Sequence, residues 1–320
     1  MTVKRGDYMR QAAGNIKLTE QQQAFADTLY SPSPFVVVLS EAEFFEKNWK
    51  KNILDFTKQE ALTFLRSMNS LSLLTLMTYT SVTRSYANYL GLKETAWEEV
   101  RQADLIGLID VDELKNTYFT PEDVDKIEMI VPNAVDKFIL RGFYEGLCGD
   151  YYEEFQSLTM DSFDKENLTV RLQTGKVKKV SQRLYDLALK SSMTYTYTAM
   201  DFRRTQVRKL IDMNGLVGEV VKTSMKVNSN PNLMSWKRKV RGRMESVKDF
   251  FELSYLTIPR LRKSAIYYNI TTIAKEHNCE ISEAVYLPEF DDIIYQYDLD
   301  ATRKDNLAYK YKSMSWADEK

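Results

Sequence analysis

Residues 168–180, Leu-Thr-Val-Arg-Leu-Gln-Thr-Gly-Lys-Val-Lys-Lys-Val, are the stretch in which the hydrophobic period of this chain changes. Apolar residues stand at every second position of its first half: Leu168, Val170 and Leu172. Thr174-Gly175 then supplies a turn, and Val177 and Val180 continue a return strand. On either side of this stretch the apolar residues recur at three- and four-residue steps, the period of a helix. The sequence therefore predicts a β-hairpin in a chain that is otherwise mostly helical.

Toward the N-terminus, the sequence predicts a small domain of short amphipathic helices. A first helix over Lys17–Tyr30 ends at the two prolines of residues 31–34, because proline has no backbone N–H with which to continue a helix. The apolar run Phe35–Leu39 has the length of a strand. Ser40-Glu41-Ala42-Glu43 has the form of a capping box, and so does Thr57-Lys58-Gln59-Glu60, so each predicts the start of a helix.

A second, larger domain is predicted after the helical segment Leu73–Leu90 and a connection over residues 91–119. Thr120-Pro121-Glu122-Asp123 begins it with an N-cap residue, a proline in the first turn and acidic residues near the positive helix end. Further helices are predicted at Ala134–Leu147, around Tyr152–Leu158 and from Ser181 onward, with a loop at Asn228–Asn232. The predicted fold class is mainly α with a small β-sheet (α+β), in two domains at residues 1–110 and 111–320.

The composition argues against several classes of protein. A single histidine, His277, in 320 residues argues against Ser-His-Asp catalysis, histidine metal centres and most histidine acid–base mechanisms. The two cysteines, Cys148 and Cys279, lie far apart and have no partner ligands at metal spacing, so no disulfide framework and no metal site is expected. No glycine-rich phosphate-binding motif occurs, so no small-molecule cofactor is expected.

The hydropathy and charge of the chain predict a cytoplasmic protein with strong local charge. No apolar run approaches the ~20 residues needed to cross a bilayer, and the first fifteen residues lack the apolar region of a secretory signal. The net charge is −1, yet residues 236–243 carry five positive charges and no negative one, whereas residues 289–300 carry five acidic residues and no basic one. A separated basic stripe can bind phosphate even in a neutral protein, although a solvated helix face explains the same charges.

The order of these segments resembles the tyrosine-recombinase, or phage integrase, family. Residues 148–158, Cys-Gly-Asp-Tyr-Tyr-Glu-Glu-Phe-Gln-Ser-Leu, are similar to the family's Thr-Gly-Leu-Arg-x-x-Glu-Leu-x-x-Leu segment, and Met160–Asp164 follows at the place of its Trp-x-Asp-Ile-Asp strand entry. The hairpin turn at Gly175-Lys176 falls where the family has its catalytic lysine. Thr257–Ser264, Thr-Ile-Pro-Arg-Leu-Arg-Lys-Ser, resembles the family's His-x-Leu-Arg-His-Thr box.

The N-terminal helices resemble the same family over Leu39–Leu90. There the similarity is to the SAM-like core-binding domain, which arches over one face of duplex DNA in phage integrases. The resemblance therefore implies a two-domain, C-shaped clamp, with a core-binding domain before residue 110 and a catalytic-like domain after it. Each motif is weak by itself, and their common order over most of the chain carries the resemblance.

The departures from the family pattern imply that the reaction is lost, so we expect no enzyme activity. Recombinases attack a phosphate with a tyrosine and stabilise the added charge with two arginines, assisted by a histidine and a lysine. Here Tyr151 stands at the first arginine position, Pro259 at the box histidine, and Tyr286 near the late His/Trp position. The positions that retain a suitable residue are Lys176 for the lysine, Arg262 for the second arginine, and Tyr295 or Tyr297 for the nucleophile.

A recombinase clamp without chemistry can still bind double-stranded DNA at operator sites. The candidate contacts share a positive charge and are Arg66, Arg84, Lys176, Arg203, Arg204, Arg208, Lys237, Arg238, Arg241, Arg243, Arg260, Arg262 and Lys263. The resemblance is nearest to integrase-like lysogeny repressors of SPβ-type temperate phages, which implies a transcriptional repressor at the nucleoid of a bacterial host. A phage regulatory protein is a further candidate partner. Two alternatives stay open: a working recombinase that uses Tyr295 or Tyr297, and an accessory protein that bends DNA or docks on another recombinase.

Overall fold

The computed structural model describes residues 17–110, 113–114, 116–200, 206–212, 216–223, 233–305 and 307–308. The contacts between residues divide the chain into two compact units, Met1–Leu114 and Lys115–Lys320. Each unit has a hydrophobic core of its own. The fold is mainly helical with small antiparallel sheets, so the predicted fold class is confirmed. Among the described residues, none of the helices is both long enough and apolar enough to span a bilayer.

The N-terminal unit consists of helices and short 3₁₀ turns. Its α-helices are α1 Glu20–Ala26, α2 Ser33–Trp49, α3 Lys58–Ser67, α4 Leu73–Tyr89 and α5 Gln102–Ile106. The core is rich in aromatic residues, among them Phe35, Phe64 and Trp97, each at most 1% exposed. The Trp97 indole N–H donates to the backbone oxygen of Ile53 at 2.8 Å, so this buried polar atom has a partner.

The capping motifs of the sequence predicted the start of α3 correctly and gave one false helix start, at Ser40. Thr57 begins α3 as predicted: its hydroxyl accepts from the backbone N–H of Glu60 at 3.3 Å, and the Glu60 carboxylate accepts from the backbone N–H of Thr57 at 2.8 Å. The apolar run Phe35–Leu39 has the length of a strand but is helical, because these residues lie in the first half of α2. Pro32 and Pro34 occupy the start of α2, where a missing N–H costs no helical hydrogen bond. The capping box predicted at Ser40 is therefore wrong, since it lies inside α2.

The C-terminal unit is built around a helix whose residues are almost all buried. Its helices are α6 Pro121–Ile130, α7 Ala134–Tyr144, α8 Gln182–Met193, α9 Leu233–Phe250, α10 Ile258–His277, α11 Ile281–Ala284 and α12 Glu289–Tyr297. Helix α7 packs against α8, α9 and α10, and it is the centre of this core. The predicted N-cap at Thr120 is confirmed, because its hydroxyl accepts from the backbone N–H of Asp123 at 3.2 Å and Pro121 stands in the first turn.

The predicted hairpin is part of a three-stranded antiparallel sheet of β1 Phe163–Asp164, β2 Thr169–Arg171 and β3 Val177–Lys179. Gly175 makes its turn with a φ of +82°, a conformation that glycine adopts without strain. The register pairs Val170 with Lys178, so Lys178 rather than Val177 points into the core. Val177 lies on the return strand as predicted, and its side chain is 39% exposed.

Two further segments differ from the helices expected of them. Around Tyr152–Leu158 the described structure has only a 3₁₀ turn, Glu153–Phe155, because Tyr152 and Ser157 have positive φ values of 61° and 57°, which a right-handed helix does not allow. After α8 the chain forms a second hairpin, β4 Thr196–Thr198 with β5 Val207–Lys209. The loop predicted at Asn228–Asn232 lies outside the described residues.

Candidate functional site

The turn that carries the first arginine position of the family holds a tyrosine here. Gly149 has a φ of +69°, and a side chain at that position would collide with the Glu153 carboxylate. That carboxylate accepts from the backbone N–H groups of Asp150 at 3.1 Å and Tyr151 at 2.7 Å, which fixes the turn. The Tyr151 side chain is 39% exposed, and the Lys237 ammonium of α9 lies 5.1 Å from its ring centre. The first arginine position is therefore occupied by an aromatic ring, and the nearby cation is the Lys237 ammonium, which makes a cation–π contact with that ring.

Lys178 on β3 is the buried cation of this region. Its side chain is 0% exposed, and its ammonium group donates to the Gly146 carbonyl at 2.9 Å, to Glu154 at 2.7 Å and to Asp298 at 2.7 Å. An ammonium has three N–H donors, so every donor of Lys178 has a partner inside the protein. Glu154, which follows the Tyr151 turn, is buried and also accepts from the backbone N–H of Cys148 at 2.6 Å.

Lys176, at the hairpin turn, contacts the end of α12. Its ammonium donates to the Tyr295 carbonyl at 2.8 Å and to the Asp298 carboxylate, and it lies 4.5 Å from the centre of the Tyr295 ring. Asp298 therefore accepts from both lysines of the hairpin, one at each carboxylate oxygen. Burial raises the pKa of Asp298, but the hydrogen bonds and charges of Lys176 and Lys178 outweigh this and lower the pKa below its usual value.

Arg262 on α10 contacts the same end of α12. Its Nη2 donates to the Tyr297 carbonyl at 2.5 Å, while its Nε is buried and has no hydrogen-bond partner within the described part of the chain. Helix α10 begins at Thr257, whose hydroxyl accepts from the backbone N–H of Arg260 at 3.3 Å. Pro259 lies exposed in the first turn of α10, a position that tolerates proline and offers no acid–base group. Lys176, Lys178 and Arg262 thus all bind the segment 295–298 of their own chain.

The two nucleophile candidates, Tyr295 and Tyr297, lie in different environments, and Tyr286, near the late His/Trp position, lies in a third. Tyr297 is 4% exposed, and its hydroxyl donates to the Tyr144 carbonyl at 2.7 Å. Burial raises its pKa well above the ordinary tyrosine value, so the phenolate that attacks a phosphate is strongly disfavoured at this position. Tyr295 is 52% exposed, beside Lys176. Tyr286 is 55% exposed and its hydroxyl donates to Asp305 at 2.7 Å.

Arg84 and Arg243, two further predicted DNA contacts, also make hydrogen bonds inside the protein. The Arg84 guanidinium donates to the carbonyls of Trp97, at 2.8 Å, and Val100, so it joins α4 to the turn Ala96–Glu99. The Arg243 guanidinium donates to the fully buried Asp136 at 2.9 Å and to the Lys222 carbonyl at 2.7 Å. These hydrogen bonds use donors that a phosphate contact would need, and DNA contact by either arginine stays a prediction.

The other predicted contacts differ in exposure. Arg66, Arg208, Arg238, Arg241 and Lys263 are exposed, whereas Lys237, Arg260 and Arg262 are half-buried. Arg241 also pairs with Glu245 one turn along α9 at 3.7 Å, and the Arg260 guanidinium lies 5.1 Å from the centre of the Tyr118 ring. Arg203 and Arg204 lie outside the described residues.

Sequence reasoning missed the buried Lys178 and Glu154, and it missed Asp298, the exposed carboxylate that joins the hairpin to the end of α12. The alternation of β2 and β3 is the signal that could have located Lys178, because the residue two places before the buried Val180 faces the same side of the sheet. The sequence around Asp298 does not indicate its role, since that role depends on its ion pair with Lys178, which lies 120 residues earlier in the chain. Among the described residues no group of His, Cys, Asp and Glu side chains is arranged to hold a metal ion.

These positions define the class of protein. The C-terminal unit is a tyrosine-recombinase-like domain of the phage integrase type, with the hairpin, the α10 box and the α12 tyrosines in the family's order. The chain belongs to the family described as MrpR, C-terminal catalytic domain, whose sequence model matches residues 118–315. The chain is also similar to the SPβ prophage-derived uncharacterized protein YopR of Bacillus subtilis (strain 168). The two are 24% identical over 277 residues, which cover 81% of this chain and 82% of YopR.

Proposed function

We propose that this chain is a sequence-specific DNA-binding protein that represses transcription to maintain lysogeny of a prophage, on a recombinase fold that no longer recombines. The observation that carries the loss of chemistry is that residues 295–298 bind Lys176, Lys178 and Arg262. In a recombinase, cations at such positions stabilise the charge that develops on the scissile phosphate. Here those donors are turned to the chain's own carboxylate and carbonyl groups.

The substitutions at two further positions support the same conclusion. Tyr151 supplies no cation, and Pro259 supplies neither a donor nor an acceptor from its side chain. Loss of one donor to a developing anion typically lowers a rate by about 10²–10³-fold. Two such losses are compatible with DNA binding, because binding depends on phosphate contacts and base contacts rather than on the groups that stabilise a transition state.

The proposed binding surface is the set of exposed cations of the C-terminal unit. Arg238 and Arg241 lie on α9 and Lys263 on the first turns of α10, all exposed. Cations on such a surface release counterions from DNA, which gives affinity without sequence preference. Base contacts would then supply the preference for an operator.

The proposed role in lysogeny rests on similarity to prophage proteins. YopR is a prophage-derived protein, and the order of segments in this chain resembles that of integrase-like lysogeny repressors of SPβ-type phages. A repressor of this kind would act at the nucleoid of the bacterial host, and a phage regulatory protein is the candidate partner that would relieve it.

The proposal is tested by binding the full chain to fragmented phage and host DNA at about 0.15 M salt, the physiological ionic strength, and sequencing the retained fragments. A repressor recovers one short motif at several upstream regions. Recovery of a single attachment-like locus would support recombination instead, and recovery of no enriched fragment would overturn sequence-specific binding.

A working recombinase is the second candidate, because Tyr295 is exposed and lies beside Lys176. It would form a covalent bond between that tyrosine and DNA. Incubation with nicked duplexes that trap such intermediates is expected to yield no adduct with the native chain. An adduct that disappears in Tyr295→Phe, and persists in Tyr286→Phe, would establish the recombinase and overturn the proposed loss of chemistry.

A further inference from the structure

A small cleft of the C-terminal unit lies between the second hairpin and α9, and none of residues 295–298 lines it. Its volume is about 220 Å³, and it is lined by β4, β5, residues 221–223 and one side of α9. Four of the lining residues are basic: Arg208, Lys222, Lys239 and Arg243. None of the described residues that line it is acidic. The walls therefore concentrate positive charge in a confined space.

The inner wall of this cleft is fixed by hydrogen bonds. Arg243 donates to Asp136 and to the Lys222 carbonyl, and its guanidinium lies 4.8 Å from the centre of the Tyr197 ring. Lys222 is 2% exposed and donates to the carbonyls of Ser191 and Ser192, at the C-terminal end of α8. Asp136 offsets the charge of Arg243, and the charges of Asp212 and Glu219 act on Lys222. The inner wall is therefore fixed and its charge largely balanced, so the remaining positive charge of the cleft comes from the outer wall.

The outer wall carries the cations that can reach a ligand. Arg208 is exposed on β5 and donates to the Gln206 side chain at 3.2 Å, while Lys239 is half-buried on α9. The pKa of Lys239 is lowered first by burial and then by the positive charge of Arg243. The negative charge of a bound anion would counter the repulsion from Arg243 and offset the cost of burial.

We infer that this cleft binds a phosphate group, with Arg208 and Lys239 as direct contacts and Arg243 as a positioning residue. The inference rests on the proposed DNA binding only for the source of the phosphate. When DNA is bound, the ligand is a phosphodiester of its backbone. Without DNA, the ligand with the same chemistry is inorganic phosphate. Arginine and lysine are the side chains that bind phosphate best, the first through its planar fork and the second as a point charge.

Substitutions at Gly242 test the inference without changing the four basic residues that line the cleft. This glycine lies inside α9 and lines the cleft, and an added Cβ at this position would meet no atom within 4 Å. A side chain there also favours the helix over glycine. Gly242→Glu introduces a negative charge at the cleft, and Gly242→Gln introduces a neutral side chain of nearly the same size. Both variants are therefore expected to fold.

A second pair of variants uses neighbouring residues of β5. Arg208→Gln removes a lining cation, whereas Lys209→Gln removes an exposed cation that does not line the cleft. Successive side chains of a strand point to opposite faces, so the pair separates the cleft from the general charge of the hairpin.

The measurement is the affinity of the full chain for a short duplex of random sequence at salt concentrations between about 50 and 200 mM. Gly242→Glu and Arg208→Gln are expected to weaken binding about tenfold and to reduce the salt slope by about one, while Gly242→Gln and Lys209→Gln stay near the native protein. Unchanged binding by Gly242→Glu and Arg208→Gln would overturn the inference and leave DNA binding intact. Equal losses in the two Gly242 variants would also overturn it, since the effect would then be steric.

A second arm separates failure of the inference from failure of the proposed function. The thermal midpoint of the native chain and of Gly242→Glu is measured in inorganic phosphate and in chloride at equal ionic strength. If the native chain binds no duplex, the proposed function fails. A phosphate-specific rise that Gly242→Glu abolishes would still support the cleft as a phosphate site, and the absence of a rise together with the absence of duplex binding would overturn it.

Discussion

Asp298 is one carboxylate that serves two lysines, one of them fully buried. We predict that Asp298→Asn lowers the free energy of unfolding at pH 7 by about 1–2 kcal/mol, in the range for a lost hydrogen bond to a charged group and reduced for its partial exposure. The effect stays modest because Lys178 keeps Glu154 and the Gly146 carbonyl as partners. Urea unfolding of the two proteins measures the difference.

The pH dependence of that difference follows from the lowered pKa of Asp298. A carboxyl whose pKa is lower in the folded state stabilises the protein above its unfolded pKa, and that stability is lost as the pH falls through the folded pKa. The difference between the native chain and Asp298→Asn should therefore begin to shrink as the pH falls to about 4, the usual value for an unfolded aspartate, and vanish only below the lowered folded pKa. Asp292→Asn is the matched control. Both side chains of the ion pair between Asp292 and Lys179 are exposed, so this pair should contribute little to the free energy of unfolding. An equal loss in Asp292→Asn would contradict the prediction.

Single residues also show where prediction from sequence stops. Tyr151 and Pro259 were identified from the sequence as departures from a family pattern, because the order of the motifs alone assigns each of them to a family position. The internal contacts of Arg84 and Arg243 were not predictable in this way, since a surface arginine and a core arginine have the same sequence signature. Their partners are carbonyl and carboxylate groups that only the folded chain brings near.

At the scale of elements, α9 has two faces with different tasks. Trp236, Val240, Met244 and Val247 are buried at helical spacing, and the basic residues Arg238 and Arg241 lie exposed on the other side. We predict that the double variant Arg238→Glu, Arg241→Glu keeps the fold and binds DNA more weakly, with a salt slope lower by about two. The measurement is duplex binding over a series of salt concentrations.

The control for α9 must carry the same change of net charge. Lys126→Glu with Lys275→Glu does so on exposed positions of α6 and near the end of α10, and it is expected to alter binding much less. If the two double variants lose the same affinity, only the total charge matters and α9 is not a DNA-contacting face.

Elements with strong local signals were predicted, and elements that depend on tertiary pairing were not. Thr57 and Thr120 cap their helices as the sequence indicates, and the β2–β3 hairpin follows from its alternation and glycine turn. Residues 35–39 have β-branched composition but are helical, because the prolines before them begin a helix rather than end one. Strands β4 and β5 have three residues each and little buried surface, so neither produces a detectable alternation.

At the scale of the whole molecule, the chain consists of two units that each have their own core, with a net charge of −1. The order of motifs over the whole chain, rather than any one motif, predicted the class of fold. The distribution of charge was only partly predictable, because the basic stretch contains both exposed cations and a cation that is hydrogen-bonded inside the protein. Arg243 is that cation, and its partner Asp136 lies 107 residues before it.

Two units that bind the same duplex should bind it more tightly when they are joined. We predict that the full chain binds DNA at least about a hundredfold more tightly than either the fragment 1–114 or the fragment 115–320, because joining makes the second binding event intramolecular. Separate cores make independent folding of both fragments the expectation, and circular dichroism checks it. Duplex binding of the full chain, each fragment and their equimolar mixture gives the comparison.

The mixture is the decisive control, because it contains every contact and lacks only the connection. If the mixture binds as tightly as the full chain, the connection contributes no effective concentration, and a two-unit clamp is wrong. If the fragment 115–320 alone equals the full chain, the N-terminal unit makes no DNA contact, and Arg66 is then a solvated cation on α3 rather than a phosphate contact. A large gap between the mixture and the full chain would place DNA contacts on both units, as a clamp requires.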